Sequence, residues 1–254
     1  MIKFFRKIRY NLMETGKTGK YFKYAIGEII LVVIGILIAL SINTWNENNK
    51  SEKEASFQLS KLNDNLKSDT EQLKAAISDV NHYSSDLIFC IKVLSNDIEA
   101  PKDEFFNRFQ NMSSLMNFNP IRGTFEGLIS SGKIELISNQ NLLDDLFSYY
   151  NASVYIAWDS ASKDYSRNVI MPYLLGFDHI PNATEENEGQ EFTQFDISKF
   201  SVPKKTIDDY KNNLFILNAL RQKIQLLEGQ KAAYKGLLKV IDSLITSIDK
   251  ELNK

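Results

Sequence analysis

Residues 29–40 of this chain, IILVVIGILIAL, are apolar or small without interruption. With its flanks the run reads AIGEIILVVIGILIALSI over residues 25–42. It approaches the roughly 20 residues that a helix needs to cross the hydrocarbon core of a bilayer. Charge orients it. The first 24 residues hold seven cations (Lys3, Arg6, Lys7, Arg9, Lys17, Lys20 and Lys23) and one acid, Glu14. From residue 43 onward 23 cations face 30 acids, a net of −7, whereas the whole chain of 254 residues sums to −2. Cations on one flank predict a cytoplasmic N-terminus and an extracytoplasmic chain beyond residue 43. Trp45 sits at the far edge, where an amphipathic ring suits the interface. The expected plan is a basic cytoplasmic segment over 1–24, a transmembrane anchor over 25–45 and an extracytoplasmic domain over 46–254. Cleavage as a signal peptide after Ser41 is the alternative, since Ala39 and Ser41 are small residues at the −3 and −1 positions. The long basic region favours the uncleaved anchor.

Two features of this region suggest more than topology. Ile2, Phe5, Ile8 and Leu12 fall at helical spacing among Lys3, Arg6, Lys7 and Arg9, a pattern suited to a short helix on an anionic leaflet. Glu28, Gly35, Ala39 and Ile42 share one helix face. Gly35 and Ala39 form a small-xxx-small pair that lets two membrane helices approach closely, so Glu28, Gly35 and Ala39 are the candidate association face.

The remainder reads as all-α. No Pro or Gly lies between Trp45 and Asn96. Leu66, Leu73, Ile77, Val80, Leu87, Ile91 and Leu94 follow 3–4 spacing with Thr70 and Ser84 in register, which predicts one long amphipathic helix continuing from the anchor. A shorter helix is expected over 102–116, a turn over 117–123, and a helix capped by Thr124 and closed by Gly132. Residues 133–137 read as an extended link. A long helix from Asn139 or Asn141 to about Leu175 carries Leu143, Leu146, Tyr150, Val154, Trp158, Tyr165 and Val169, and Pro172 should kink or end it. Residues 177–203 read as an acidic loop. The last helix, about 205–252, holds a heptad register through Leu217, Leu220, Ile224, Leu227, Tyr234, Leu238, Ile241, Ile245, Ile248 and Leu252, with Lys231 as its charged core position. Sustained stripes on the first and last helices predict an antiparallel, coiled-coil-like pair in an elongated bundle.

Composition excludes several classes of chemistry. A net charge of −7 beyond the anchor argues against nucleic-acid binding. One cysteine, Cys90, rules out an internal disulfide, and the two histidines, His82 and His179, are too few for a zinc site built from His and Cys. No phosphate-binding glycine loop, G-x-S-x-G elbow or H-E-x-x-H motif occurs. No catalytic, metal or cofactor residue is therefore assigned, and no cofactor is expected. Tyr149, Tyr150, Tyr155, Trp158, Tyr165 and Tyr173 crowd one helix. Core filling explains helically spaced aromatics; the sharper reading is a ligand pocket walled by Tyr150, Trp158 and Tyr165.

GKTGKYFKYAIGEIILVVIGILIALSINTWNEN, over residues 16–48, resembles the opening of a family of uncharacterised bacterial single-span membrane proteins known only as a domain of unknown function. FEGLISSGKIELISNQNLLDDLFSYY, over residues 125–150, resembles the same family's central segment. Ser41 and Thr44 stand where Gln and Asn would be expected. The resemblance implies a single-pass protein of the inner (cytoplasmic) membrane with a periplasmic domain, and it implies no activity. The expected role is a non-enzymatic, membrane-anchored scaffold or partner-binding module. Its partners would be the bilayer and a membrane or periplasmic protein or a second copy. A ligand-binding sensory domain acting through a membrane partner is the alternative.

Overall fold

The computed structural model describes Tyr10 and residues 18–152, 154–175 and 206–253. The expected amphipathic helix of residues 1–13, Tyr10 apart, and the acidic loop over 177–203 lie outside them. The described residues are helical with no strand, and the chain is all-α. Two compact units are distinguished, Met1–Gln58 and Leu59–Lys254.

Helix α1, Thr18–Leu94, is a single run of 77 residues. Nothing in its sequence breaks it, because no proline occurs before Pro101 and no glycine lies between Gly35 and Gly123. Its end is built by the backbone. Asn96 adopts a left-handed φ of 61°. Its N–H donates to the Val93 carbonyl at 3.1 Å, and the Asp97 N–H donates to the Lys92 carbonyl at 2.9 Å. This pair of bonds is a Schellman closure, and Asn is the residue other than Gly that best tolerates the left-handed position. In the first unit the apolar side chains between Ile26 and Ile42 are 46–65% exposed, so among the described residues none packs over the helix there.

The second unit contains residues 59–94 of α1, then α2 (Lys102–Phe109) and a three-ten turn (Gln110–Ser113). After them come α3 (Gly123–Ser130), a three-ten turn (Lys133–Leu136), α4 (Gln140–Tyr150) and α5 (Val154–Tyr165). A π-helical turn (Ser166–Ile170) leads into α6 (Met171–Leu175), and α7 (Ile207–Lys211) and α8 (Leu214–Leu252) complete the unit. Leu59, Leu62, Leu66 and Leu73 of α1 cluster with Tyr234, Leu237, Ile241, Leu244 and Ile248 of α8. Val80, Leu87, Cys90 and Val93 cluster instead with Ile216, Leu220 and Leu227. Early residues of one helix thus meet late residues of the other, and Asn63 Nδ2 donates to Asp249 Oδ1 at 2.8 Å across the pair. The two helices are antiparallel. Each fully buried Leu or Ile in the pair contributes roughly 1.5–3 kcal/mol to the fold.

Several local expectations are corrected. Arg122, not Thr124, caps α3, without a side-chain bond; Thr124 Oγ1 instead accepts from Asn65 Nδ2 at 2.9 Å. Gly132 closes that helix at φ 71°, as its lack of a Cβ permits. Residues 133–136 form a three-ten turn rather than an extended link. The expected helix over 139–175 is broken. Asn139 caps α4 by accepting from the Leu142 N–H at 3.2 Å, and α4 stops at Tyr150. The π turn lies just before Pro172, and α6 continues through Leu175 rather than ending at the proline. A missing N–H in the ladder is a common reason for a helix to widen or bend. The last helix is also split, with Asn213 capping α8 through the Ile216 N–H at 3.3 Å. Lys231 is not the charged core residue of α8. It pairs with Glu228, three residues before it, at 2.6 Å, while Lys223 is fully buried.

The antiparallel seam is testable in a Cys90→Ser background. A short thiol crosslinker should join cysteines at Asn63 and Asp249 within one chain and should not join cysteines at Asn63 and Leu217. The opposite pattern on denaturing gels contradicts the pairing.

Candidate functional site

Residues 114–121 adopt no helix, yet they lie against the bundle and carry a buried Phe118. Backbone groups held away from water without a regular ladder must find other partners. Four helices supply them. Asp69 of α1 accepts from the Ile121 N–H at 3.0 Å. Tyr150 of α4 donates to the Ile121 carbonyl at 3.4 Å. Asp159 of α5 accepts from the Phe118 N–H at 2.9 Å. From α8, Lys223 donates to the Ser114 carbonyl at 2.8 Å and Gln230 to the Met116 carbonyl at 3.4 Å.

Most polar atoms of these clamping groups have partners of their own. Asp159 Oδ1 accepts from Gln230 Nε2 at 2.8 Å and from the Tyr234 hydroxyl at 2.6 Å. Asp69 Oδ2 accepts from the Tyr149 hydroxyl at 2.8 Å. Lys223 has three ammonium donors and three neutral acceptors, because Ser162 Oγ at 3.0 Å and Ser166 Oγ at 2.8 Å join the Ser114 carbonyl. Burial with no carboxylate partner draws the Lys223 ammonium down to about 8. Burial also raises the Asp69 carboxyl, against the two hydrogen bonds that favour its charged form. The Tyr149, Tyr150 and Tyr234 hydroxyls are all raised, first by burial and then by the nearby Asp69 or Asp159.

Outside the clamp, the same loop and α5 bound a cleft of about 380 Å³. Asn117, Phe118, Asn119, Pro120 and Arg122 form one wall. Tyr155, Ile156, Asp159, Ser160 and Lys163 form the other, at spacings that place them on one face of α5. The Phe118 ring meets the Tyr155 ring edge-on at 5.6 Å between centroids.

Among the described residues the three aromatic candidates take different surroundings. Tyr150 is fully buried and stacks on Phe125 at 4.4 Å. Tyr165 belongs to the cluster of residues 80–94 and 216–227, where its hydroxyl reaches the Ala219 carbonyl at 3.4 Å. Trp158 is 38% exposed and covers Gly229 so closely that a Cβ there would overlap its ring. None of the three lines the cleft. In the first unit, Gly35 has open space around it, Ala39 is exposed and Glu28 is half-buried.

Other chemically capable groups are occupied. Burial, then the Asp86 carboxylate, pushes the Cys90 thiol up to about 12, and its sulfur sits 3.9 Å from the Phe105 carbonyl. Asp86 is held by Arg108 at 3.3 Å and by Asn111 at 2.7 Å, with the exposed His82 at 3.4 Å. Among the described residues no three His, Cys, Asp or Glu side chains converge as a metal site.

Lys223 gives this clamp a pH signature. A lysine whose folded pKa lies below its unfolded value binds fewer protons when folded, so stability rises with pH between the two values. The folded value is about 8 and the unfolded value 10.5. Between pH 8 and 9 the full chain in mild detergent should therefore gain about 1 kcal/mol against urea. From about pH 9 upward the raised tyrosines act in the opposite sense, since they hold protons in the folded state that the unfolded state releases. Lys223→Met should remove the rise between pH 8 and 9. An equal rise in that variant refutes the assignment.

The comparisons with known proteins bear on this geometry only through family membership. No curated protein and no solved structure matches the chain. A family model described as a family of unknown function, DUF6090, matches residues 28–164. That segment begins in the apolar run of α1 and ends in α5, so it takes in both walls of the cleft. It covers more than half of the chain, which therefore belongs to the DUF6090 family of unknown function.

Proposed function

We propose that the protein is a membrane-anchored, non-enzymatic helical module of the inner membrane, whose second unit binds a protein partner or a second copy in the periplasm. The observation that carries the reading is the uncovered apolar run of α1. One helix in the described residues is long and apolar enough to cross a membrane, by length and composition. Among the described residues none packs over its side chains between Ile26 and Ile42. At roughly 1.5–3 kcal/mol for each such side chain, water is the wrong solvent for this segment and lipid the right one. The seven cations preceding the run support the inward N-terminus.

The non-catalytic part of the reading is supported by the buried ionisable groups. Asp69, Asp159 and Lys223 hold the backbone of one loop, and Cys90 has a thiol too basic to act as a nucleophile at neutral pH. A sensory domain that signals through a membrane partner is the second reading, and the cleft beside α5 is the observation that favours it.

Reporter fusion after Lys254 tests the orientation. A periplasm-active reporter is expected there, with a mature chain that keeps its basic segment. A reporter active only in the cytoplasm overturns the topology, and a mature chain starting near Ile42 overturns the anchor.

A further inference from the structure

We infer that the cleft between the 117–122 loop and α5 binds a small organic oxyanion, a carboxylate or phosphate carried on a compact apolar body. The inference goes beyond both readings of the protein's role. It concerns binding alone and stands whether or not the chain is anchored or signals.

Charge is the first argument. Arg122 and Lys163 face the cleft from opposite walls, and neither makes an ion pair with any described residue. The third charge on the walls, Asp159, has its oxygens engaged by neutral donors, the Phe118 N–H, Gln230 and Tyr234. Two cations against one carboxylate leave the walls with a net positive charge. An Arg fork takes a carboxylate or phosphate through two parallel hydrogen bonds, and a Lys adds a point charge beside it.

Neutral groups complete the fit. Asn119 and Ser160 add uncharged donors at the walls, while Phe118 and Ile156 add apolar surface. Ile156 is 46% exposed, an apolar contact left open on the α5 side. A volume of about 380 Å³ suits a small molecule rather than a polymer.

Rigidity is the second argument. Asp159 fixes Phe118, and Asp69 and Tyr150 fix Ile121, so both ends of the loop segment beside Arg122 are tied to helices. A site held in place before binding loses less entropy when it is filled.

The test is calorimetric titration of the full chain in detergent micelles with benzoate, inorganic phosphate and the neutral isostere benzamide. Saturable binding of benzoate or phosphate is expected, with benzamide at least about tenfold weaker, which is about 1.4 kcal/mol. Benzoate without phosphate identifies a carboxylic acid as the ligand head; phosphate without benzoate identifies a phosphate ester; both support the site. Arg122→Gln and Lys163→Gln should each weaken binding about tenfold. Lys163 is exposed on α5, so an unchanged melting transition in that variant separates lost binding from lost folding. No saturable binding of either anion, equal binding of benzamide, or binding unaffected by Lys163→Gln overturns the inference.

Discussion

The second unit is organised around one obligation: an irregular loop is pressed into a helical bundle, and its backbone must be hydrogen-bonded. Helices satisfy themselves; residues 114–121 cannot. The solution is a set of buried polar side chains, one or two from each of α1, α4, α5 and α8, converging on a single segment. An unsatisfied buried backbone group costs about 1–3 kcal/mol, so each clamp bond matters more for what its absence would leave exposed than for its own strength. Among the described residues three side-chain atoms, Gln230 Oε1, Asn63 Oδ1 and Ser84 Oγ, are buried without a partner.

The clamp also aligns α5 with α8. Asp159 bound to both Gln230 and Tyr234, and Lys223 bound to both Ser162 and Ser166, match only when α5 and α8 are aligned at one height. Buried polar pairs that specify alignment more than they stabilise are a recurrent arrangement in helical assemblies. Along α5 and the π turn that follows it, the consequence is an inward face made of Tyr155, Asp159, Ser162, Ser166 and Ile170, polar through its middle.

That face explains which features the sequence disclosed. The long stripes of α1 and α8 and the all-α class follow from apolar spacing, while their antiparallel sense follows from the number of chain reversals between them. Apolar spacing alone puts Trp158 on the inward side of α5, because it counts Asp159, Ser162 and Ser166 as surface residues. It likewise assigned the core charge to Lys231, although Lys223 stands at a helical interval from both Leu220 and Leu227. Asp69 lies between Leu66 and Leu73 at the same intervals, where Thr70 was placed. A polar residue at an apolar interval was the available signal for the clamp. Its partners were not legible, because they lie on a loop whose path depends on tertiary contacts. The cleft was hidden for the same reason: Arg122 and Lys163 are 41 positions apart in the chain and meet only once that loop is in place. Tyr150 and Tyr165, grouped by sequence proximity, go to different clusters because α4 and α5 are separate helices.

The first unit poses the opposite problem, an apolar helix run left exposed among the described residues. In the proposed reading its solvent is lipid. Collision accessibility measures that solvent directly. Nitroxide labels placed singly at Leu37 and at Phe57, in a Cys90→Ser chain reconstituted into bilayers, would be relaxed by oxygen or by a water-soluble nickel chelate. The predicted result is a Leu37 label open to oxygen and shielded from the chelate, with the Phe57 label reached by the chelate. Equal access of the chelate to both positions would contradict a membrane-embedded helix.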